Sequence, residues 1–227
     1  VFVGQTEAPL VIRPYIASLT RSELMACMTA GFASTAGSVL AAYVAMLRDK
    51  VPGIGGHLIA CSVMSAPASL LMAKLMLPEI EPRAQVVPDL PEPAASTHGG
   101  LLDAITVGTL DGLRLAVNVG AMLIAFLALS ALVNAGLAAF GNLVLQRPLS
   151  LELLFGWIFA PLAWLLGVTP ADVPKVASLL GQKTVLNEFI AYHDLGAMIR
   201  DGSLAPRSAV IASYALCGFA NFGSLAI

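Results

Sequence analysis

The chain has 227 residues, of which 58% are hydrophobic and 11% are charged, and its mean hydropathy is +0.84. Soluble proteins carry about 25% charged residues, so this composition excludes an ordinary soluble domain. The 12 basic and 14 acidic residues leave a net charge of −2. This balance offers no basic surface for a phosphate backbone, and we expect no nucleic-acid partner.

Charged residues are clustered and leave long stretches without any charge. The uncharged stretches are Leu24–Leu47, Leu115–Leu145, Leu153–Ala171 and Ser208–Ile227. A helix needs about 20 apolar residues to cross a hydrocarbon core about 30 Å thick. The pattern therefore predicts an all-α, multi-pass protein in the lipid bilayer of the cell membrane, such as a bacterial inner membrane. The alternative, a large soluble protein with several buried helices, would need polar outer faces that these stretches lack.

Residues 1–19 combine a polar group with a short apolar run. Gln5, Thr6 and Glu7 precede Pro9, and the apolar residues that follow are too few to span a membrane. Because Pro is tolerated at the start of a helix, the polar residues would lie at a helix N-terminus, where backbone donors converge. The segment predicts the second arm of a re-entrant hairpin. Since the chain does not start with Met and stops inside an apolar run, we also expect a fragment.

Two transmembrane helices are predicted over residues 20–77. Thr20 and Glu23 match a capping box, in which each side chain bonds the other's backbone N–H, and this box begins the first helix. The middle of that helix, Gly31–Ser38, is rich in small and hydroxyl residues. One interpretation is close helix packing through small side chains. The other is a break in the helix whose freed carbonyl groups face a cation.

The remaining segments are predicted from their length and polarity. They are a Pro-rich linker (78–100), an amphipathic lead-in with a long transmembrane helix (101–145), a second re-entrant hairpin (150–168), a broken transmembrane helix (170–200) and the truncated start of the last transmembrane helix (206–227). The second hairpin is expected because two apolar arms of about eight residues meet near Pro161, and neither arm can cross alone. Asn221 and Ser224 are three residues apart, so we expect them on one face of the last helix.

Two carboxylates, Glu7 and Glu188, lie in otherwise apolar surroundings, each close to an amide side chain. Ionisable side chains inside a membrane are costly and by default mark a substrate or ion pathway. An embedded hydrolase with paired carboxylates is an alternative. The sequence pairs them with no nucleophile or metal-ligand cluster, so we expect no enzyme activity. Amides and hydroxyls with Phe219 nearby instead fit a small polar ligand with a flat ring.

Several motifs resemble those of the concentrative nucleoside transporter family, in the family's order and over essentially the whole chain. They are Gly4-Gln5-Thr6-Glu7-Ala8-Pro9, Thr29-Ala30-Gly31-Phe32-Ala33 leading to Ala36-Gly37-Ser38-Val39-Leu40, Ser62-Val63-Met64-Ser65-Ala66-Pro67-Ala68, Asn187-Glu188-Phe189-Ile190-Ala191-Tyr192, and Cys217-Gly218-Phe219-Ala220-Asn221-Phe222. The resemblance implies a transporter core of transmembrane helices with two re-entrant hairpins and broken helices. It also implies cation-coupled uptake of nucleosides into the cell by a homotrimer.

The resemblance further implies which residues form the site. Those expected to bind the nucleoside are Gln5, Thr6, Glu7 and Val39 at the nucleobase, and Glu188, Phe219, Asn221 and Ser224 at the ribose. Those expected to hold sodium are the Val3 carbonyl, the Ser34 hydroxyl and the Thr35 carbonyl, and no other cofactor is expected. A proton carried by a carboxylate is the alternative coupling ion. A membrane receptor or channel on the same scaffold is the alternative function.

Overall fold

The computed structural model describes residues 12–80 and 100–225, and every regular element within these two ranges is helical. The helices are α1 (Arg21–Ala33), α2 (Gly37–Leu47), α3 (Ile54–Met76), α4 (Leu101–Val144), α5 (Leu151–Leu165), α6 (Val173–Val185), α7 (Glu188–Arg200) and α8 (Pro206–Leu216), with short 3₁₀ helices at Arg13–Ser18 and Gly223–Leu225. The predicted all-α class is therefore confirmed. Most of the predicted first hairpin arm and of the Pro-rich linker lies outside the described residues.

Two of these helices are long and apolar enough to cross a membrane. α3 has 23 residues and α4 has 44, and little of the apolar stretch of either helix is buried inside the protein. Leu71, Leu75, Ile124 and Leu132 are each more than half exposed. In water such surfaces would promote aggregation, whereas in a bilayer they face hydrocarbon. The lead-in and the long helix predicted for 101–145 form one continuous element.

The first helix begins where its capping box predicts. The Thr20 N–H donates to Glu23 Oε2 at 3.0 Å, and the Glu23 N–H donates to Thr20 Oγ1 at 3.2 Å. Both bonds of the box are thus formed at the N-terminus of α1. A cap of this kind stabilises a helix by about 0.5–2 kcal/mol, because it satisfies N–H groups that have no partner within the helix.

This first helix is interrupted in its middle. α1 and α2 are separated by Ser34, Thr35 and Ala36, and the backbone is extended at the first and last of these. Both half-helices pack against α3. The Lys74 ammonium on α3 donates to Ser22 Oγ on α1 at 2.7 Å, which places the start of α1 beside the end of α3. The chain therefore continues past the interruption, so that α1 and α2 together run antiparallel to α3.

α6 and α7 form a helical hairpin, and the broken transmembrane helix predicted for 170–200 was wrong. Each helix has 13 residues, or about 20 Å, which is too short to cross the hydrocarbon core. Gln182 Nε2 donates to Asp194 Oδ2 at 2.7 Å, and Lys175 Nζ donates to the Ser203 carbonyl at 2.5 Å. The start of α6 thus meets the end of α7. The chain reverses between the two helices instead of continuing.

The hairpin predicted for 150–168 was also wrong, because α5 runs through Pro161 without reversing. A proline removes one backbone donor and destabilises a helix interior by about 3 kcal/mol, but packing can offset that cost. α5 lies closely along α6. A Cβ at Gly181 of α6 would come within 2.5 Å of the Glu152 carbonyl oxygen. The chain turns after α5 instead, where Gly167 has a φ of +85°.

The last predicted helix ends early. α8 stops at Leu216, and Asn221 and Ser224 lie in and after a turn rather than on one face of a continuous helix. Gly218 is pressed against the end of α1, where a Cβ would lie 3.0 Å from the Phe32 carbonyl oxygen. Local side-chain bonds to the backbone compete with helix formation here. The two polar side chains still meet, but through a turn.

A buried core connects α2, α3, α6, α7 and α8. Its largest fully buried side chains include Tyr43, Tyr192, Leu47, Leu58, Leu179, Leu195 and Leu216. Because α2 and α7 share this core, the core fixes the position of the interruption before α2 relative to the chain reversal before α7.

Candidate functional site

Three interruptions of the helices meet at one place in the structure. They are residues 34–36 between α1 and α2, residues 186–187 between α6 and α7, and residues 217–222 after α8. Thr35 Oγ1 donates to the Cys217 carbonyl, which joins the first interruption to the third. Asn221 Nδ2 donates to Glu188 Oε2 at 3.2 Å, which joins the third to the second. Helix ends carry backbone groups without partners in the helix, so their convergence creates a polar centre inside an apolar protein.

Glu188 is the first residue of α7 and is only 4% exposed. Its Oε1 accepts from the Tyr43 hydroxyl at 3.1 Å, and its Oε2 accepts from the Asn221 amide at 3.2 Å. Asn187 precedes it and caps α7, since Asn187 Oδ1 accepts from the Ile190 N–H at 2.9 Å. The two donors and the positive end of the helix dipole stabilise the carboxylate. A buried carboxylate is costly, and these interactions offset part of that cost.

Asn221 and Ser224 bond each other beside Glu188. The Asn221 N–H donates to Ser224 Oγ at 3.1 Å, and the Ser224 N–H donates to Asn221 Oδ1 at 2.8 Å. Both residues are buried, whereas Phe219 is half-buried. A carboxylate, an amide and a hydroxyl are thus held together in one small group. Such a group offers both donors and acceptors to a ligand that carries hydroxyl groups.

The interruption between α1 and α2 has a different character. Ser34 Oγ donates to the Gly31 carbonyl at 3.4 Å, and Thr35 is buried with its hydroxyl on the Cys217 carbonyl. The carbonyl groups at the end of α1 form the negative end of a helix dipole, which favours a cation. Within residues 12–80 and 100–225, no group of three or more His, Cys, Asp or Glu side chains could hold a metal ion. A cation here would therefore depend on backbone and hydroxyl oxygens.

The structure joins some of the predicted site residues and separates others. Glu188, Asn221 and Ser224 form one connected group of hydrogen bonds. Ser34 and Thr35 lie in the neighbouring interruption, Val39 packs on α2 against the buried core, and Phe219 lies between Cys217 and Asn221 in the third interruption. The predicted residues Val3, Gln5, Thr6 and Glu7 lie outside the described part of the chain.

Sequence reasoning missed two residues at this site. Tyr43 was not distinguished from an ordinary core aromatic, although its spacing of four from Val39 places both on one face of a helix. Lys183 Nζ donates to the Ala215 carbonyl at 3.0 Å, and so connects the hairpin to the end of α8. The available signal was a lysine five residues before Glu188, in a segment whose charged and amide side chains make it too polar to face lipid.

Half-helices too short to cross a bilayer, with polar groups gathered where they are interrupted, define the core of a membrane transporter. The sequence profile of the family described as "Na+ dependent nucleoside transporter C-terminus" matches residues 57–227. The chain belongs to this family.

Individual relatives agree with the family match. Solute carrier family 28 member 3 from Homo sapiens is 45% identical over 240 residues, which cover all of this chain and 34% of that protein. Sodium/nucleoside cotransporter 1 from Sus scrofa is 42% identical over 243 residues, which cover all of this chain and 36% of that protein. Among solved structures, CNTnw in an inward-facing substrate-bound state matches with a TM-score of 0.77 and 45% identity, over 99% of this chain and 52% of that one.

The chain therefore spans between a third and about half of the length of these relatives. The comparisons confirm the resemblance drawn from the motifs, the α-helical transporter fold and a multi-pass location in the cell membrane. The family consists of transporters, which confirms the prediction that the protein is not an enzyme.

Proposed function

We propose that the longer protein containing this chain carries nucleosides into the cell together with a cation, which is sodium, and that this chain supplies much of the binding site. The observation that carries the proposal is Glu188. Its carboxylate is 4% exposed yet accepts a hydrogen bond on each oxygen, at the tip of a hairpin too short to span the membrane. The family description and the sodium/nucleoside cotransporter among the relatives support both the cargo and the ion.

In this proposal, Glu188, Asn221 and Ser224 bind the ribose. Neighbouring sugar hydroxyls can donate to the carboxylate and to Ser224 Oγ, and can accept from the second N–H of the Asn221 amide. The Ser224 hydroxyl itself donates to the Asn221 carbonyl at 2.6 Å. Phe219 adds an aromatic face against which the nucleoside packs. Free nucleobases lack the sugar hydroxyls, so uracil should compete poorly with uridine.

The family resemblance assigns the rest of the site. The nucleobase would be bound by Gln5, Thr6, Glu7 and Val39. Sodium would be bound by the Val3 carbonyl, the Ser34 hydroxyl and the Thr35 carbonyl. A hard cation needs several oxygen ligands, which an interrupted helix supplies through carbonyl and hydroxyl groups together. We also propose that the complete transporter is a homotrimer in which each subunit has its own site.

Uptake by the full-length protein tests the cargo and the ion together. The protein is reconstituted into liposomes, and initial uptake of labelled uridine and adenosine is measured at fixed pH in sodium and in choline. We expect uptake in sodium and little in choline. Uptake that ignores sodium but follows an imposed pH gradient would establish proton coupling instead, and an absence of uptake of either nucleoside under both gradients would reject the proposed cargo.

Substitution of Glu188 by Gln tests the ribose assignment. Loss of charge-assisted hydrogen bonds worth about 1.5–3 kcal/mol should raise the half-saturating uridine concentration at least about tenfold. Glu152→Gln is the matched control, because the Glu152 carboxylate also accepts from an amide, Asn134 Nδ2 at 2.9 Å, but this contact joins α5 to α4 and not the helix interruptions. Near-normal uridine affinity in Glu188→Gln would overturn the assignment.

A further inference from the structure

Tyr43 is fully buried on α2 and reaches the hairpin tip. Its ring stacks on that of Tyr192 on α7, with centroids 4.0 Å apart and planes 12° apart. Its hydroxyl donates to Glu188 Oε1 at 3.1 Å. A buried phenol needs a partner for its hydroxyl, and here that partner is the one carboxylate that the proposed ribose site depends on.

The stacked pair holds the Tyr43 hydroxyl in place. The Tyr192 hydroxyl is itself engaged, because it donates to the Ser213 carbonyl on α8. The stack itself, which is formed by the two rings and does not need the Tyr192 hydroxyl, leaves the Tyr43 ring little freedom to turn away from Glu188. The carboxylate is held from two directions, by Tyr43 on Oε1 and by Asn221 on Oε2.

We propose that Tyr43 is a positioning residue, whose hydroxyl fixes the Glu188 carboxylate in the orientation that meets the ribose hydroxyls. Each carboxylate oxygen has about two acceptor sites, so Oε1 can accept from Tyr43 and from a sugar hydroxyl together. Without the Tyr43 donor, the carboxylate can rotate. Binding of the sugar must then fix the orientation of the carboxylate, and the affinity falls. This inference rests on the proposed ribose role of Glu188. It adds a second residue to recognition of the sugar, one that does not contact the sugar itself.

Substitution of each tyrosine by Phe separates positioning from packing. Tyr43→Phe keeps the stacked ring and removes the bond to Glu188, whereas Tyr192→Phe keeps the ring and removes the bonds of that hydroxyl to the Ser213 carbonyl and the Cys217 thiol. In the full-length protein we expect Tyr43→Phe to raise the half-saturating uridine concentration about tenfold, since a hydrogen bond to a charged group is worth at least that factor. The maximal rate per folded transporter should be nearly unchanged. Tyr192→Phe should change the half-saturating concentration less than about twofold, because Glu188 keeps both donors.

Deoxynucleosides give a measurement that a purely structural role would not affect. Competition by 2′-deoxyuridine and 3′-deoxyuridine is measured against labelled uridine in the parent and in Tyr43→Phe. We expect the variant to lose much of the parent's preference for uridine over at least one of the two analogues, because the fixed carboxylate is what detects the missing hydroxyl.

The outcomes distinguish this inference from the proposed function. If Glu188→Gln weakens uridine binding while Tyr43→Phe leaves affinity and the uridine preference unchanged, the positioning role is overturned and the ribose role stands. An equal loss of maximal rate in both Phe variants, with unchanged half-saturation, would likewise assign Tyr43 to packing alone. If Glu188→Gln itself has no effect, the ribose assignment fails first.

Discussion

α1–α2 and α6–α7 are both pairs of half-helices, but the first pair continues through the protein whereas the second turns back on itself. Between α1 and α2, Ala36 begins the new helix without a side-chain cap, and both halves lie along α3. Between α6 and α7, Asn187 caps the new helix through the Ile190 N–H. A capped N-terminus can start a helix in a new direction, whereas two halves that pack on one long neighbour stay in line with it.

The two interruptions also differ in charge. The end of α1 presents carbonyl groups, the negative end of a helix dipole, beside the hydroxyls of Ser34 and Thr35. The start of α7 carries the Glu188 carboxylate, which accepts hydrogen bonds. The first environment favours a cation and the second favours hydroxyl donors. Each interruption joins the C-terminus of one half-helix to the N-terminus of the next, so the difference lies in the side chains, which are hydroxyls at the first interruption and a carboxylate at the second.

Forcing α5 away from α6 should have the largest effect. In Gly181→Ala the new Cβ would meet the Glu152 carbonyl oxygen at 2.5 Å, so we expect a loss of about 3 kcal/mol or more in the free energy of unfolding. Gly31→Ala in α1 is the control, because a Cβ there meets nothing within 4 Å, and it should be neutral or slightly stabilising. Thermal unfolding of the full-length protein in detergent measures both, and equal midpoints would contradict the close approach of α5 and α6.

Removing the amide beside Glu188 should weaken the sugar site more than the ion site. Asn221→Ala leaves Glu188 Oε2 without its donor, so we expect the half-saturating uridine concentration to rise at least about tenfold. Asn134→Ala removes an amide that bonds Glu152 and should leave uridine affinity as it is. Labelled uptake in saturating sodium makes the measurement, and an equal shift in both variants would show that the effect is general loss of structure.

Removing the Ser34 hydroxyl should weaken the ion site more than the sugar site. Loss of one proposed oxygen ligand from Ser34→Ala should raise the half-saturating sodium concentration about fivefold, and uridine affinity should fall only through its linkage to sodium. Ser65→Ala is the control, because Ser65 Oγ likewise donates to a carbonyl three residues earlier, that of Ser62, at 2.8 Å. The sodium dependence of uptake is the measurement. An unchanged sodium response in Ser34→Ala would remove Ser34 from the ion site.

Removing either of two helix caps should have the smallest effects. Asn187→Ala and Thr20→Ala should each lower stability by about 1 kcal/mol, because each leaves a helix N-terminus without its cap. Only Asn187→Ala should also raise the half-saturating uridine concentration, by about two- to threefold, since the cap fixes the start of α7 where Glu188 lies. Uridine affinity that falls equally in both variants would contradict a special role for the hairpin tip.

Some features of the site could be predicted residue by residue. Glu188 was predicted as a buried functional carboxylate because its cost inside a membrane is a property of the residue and its neighbours in sequence. Asn221 and Ser224 were predicted to share a face, and they do meet, although through a turn. Tyr43 was not predicted, because an aromatic residue in an apolar helix has the same pattern whether its hydroxyl bonds a carboxylate or not.

Hydropathy, capping and motif order are local properties, so the sequence by itself determined the all-α membrane class, the start of α1 at Thr20 and the family. The location of the chain reversal was decided only by tertiary structure. Pro161 was the strongest helix-breaking signal in its region, yet α5 continues through it because α6 packs closely along its length at Gly181. The chain reverses only after α5 ends, at Gly167, and again after Leu186, where contacts such as that of Lys175 with Ser203 hold α6 and α7 together. Contacts between residues far apart in sequence outweigh a local preference of a few kcal/mol, and no local pattern encodes them.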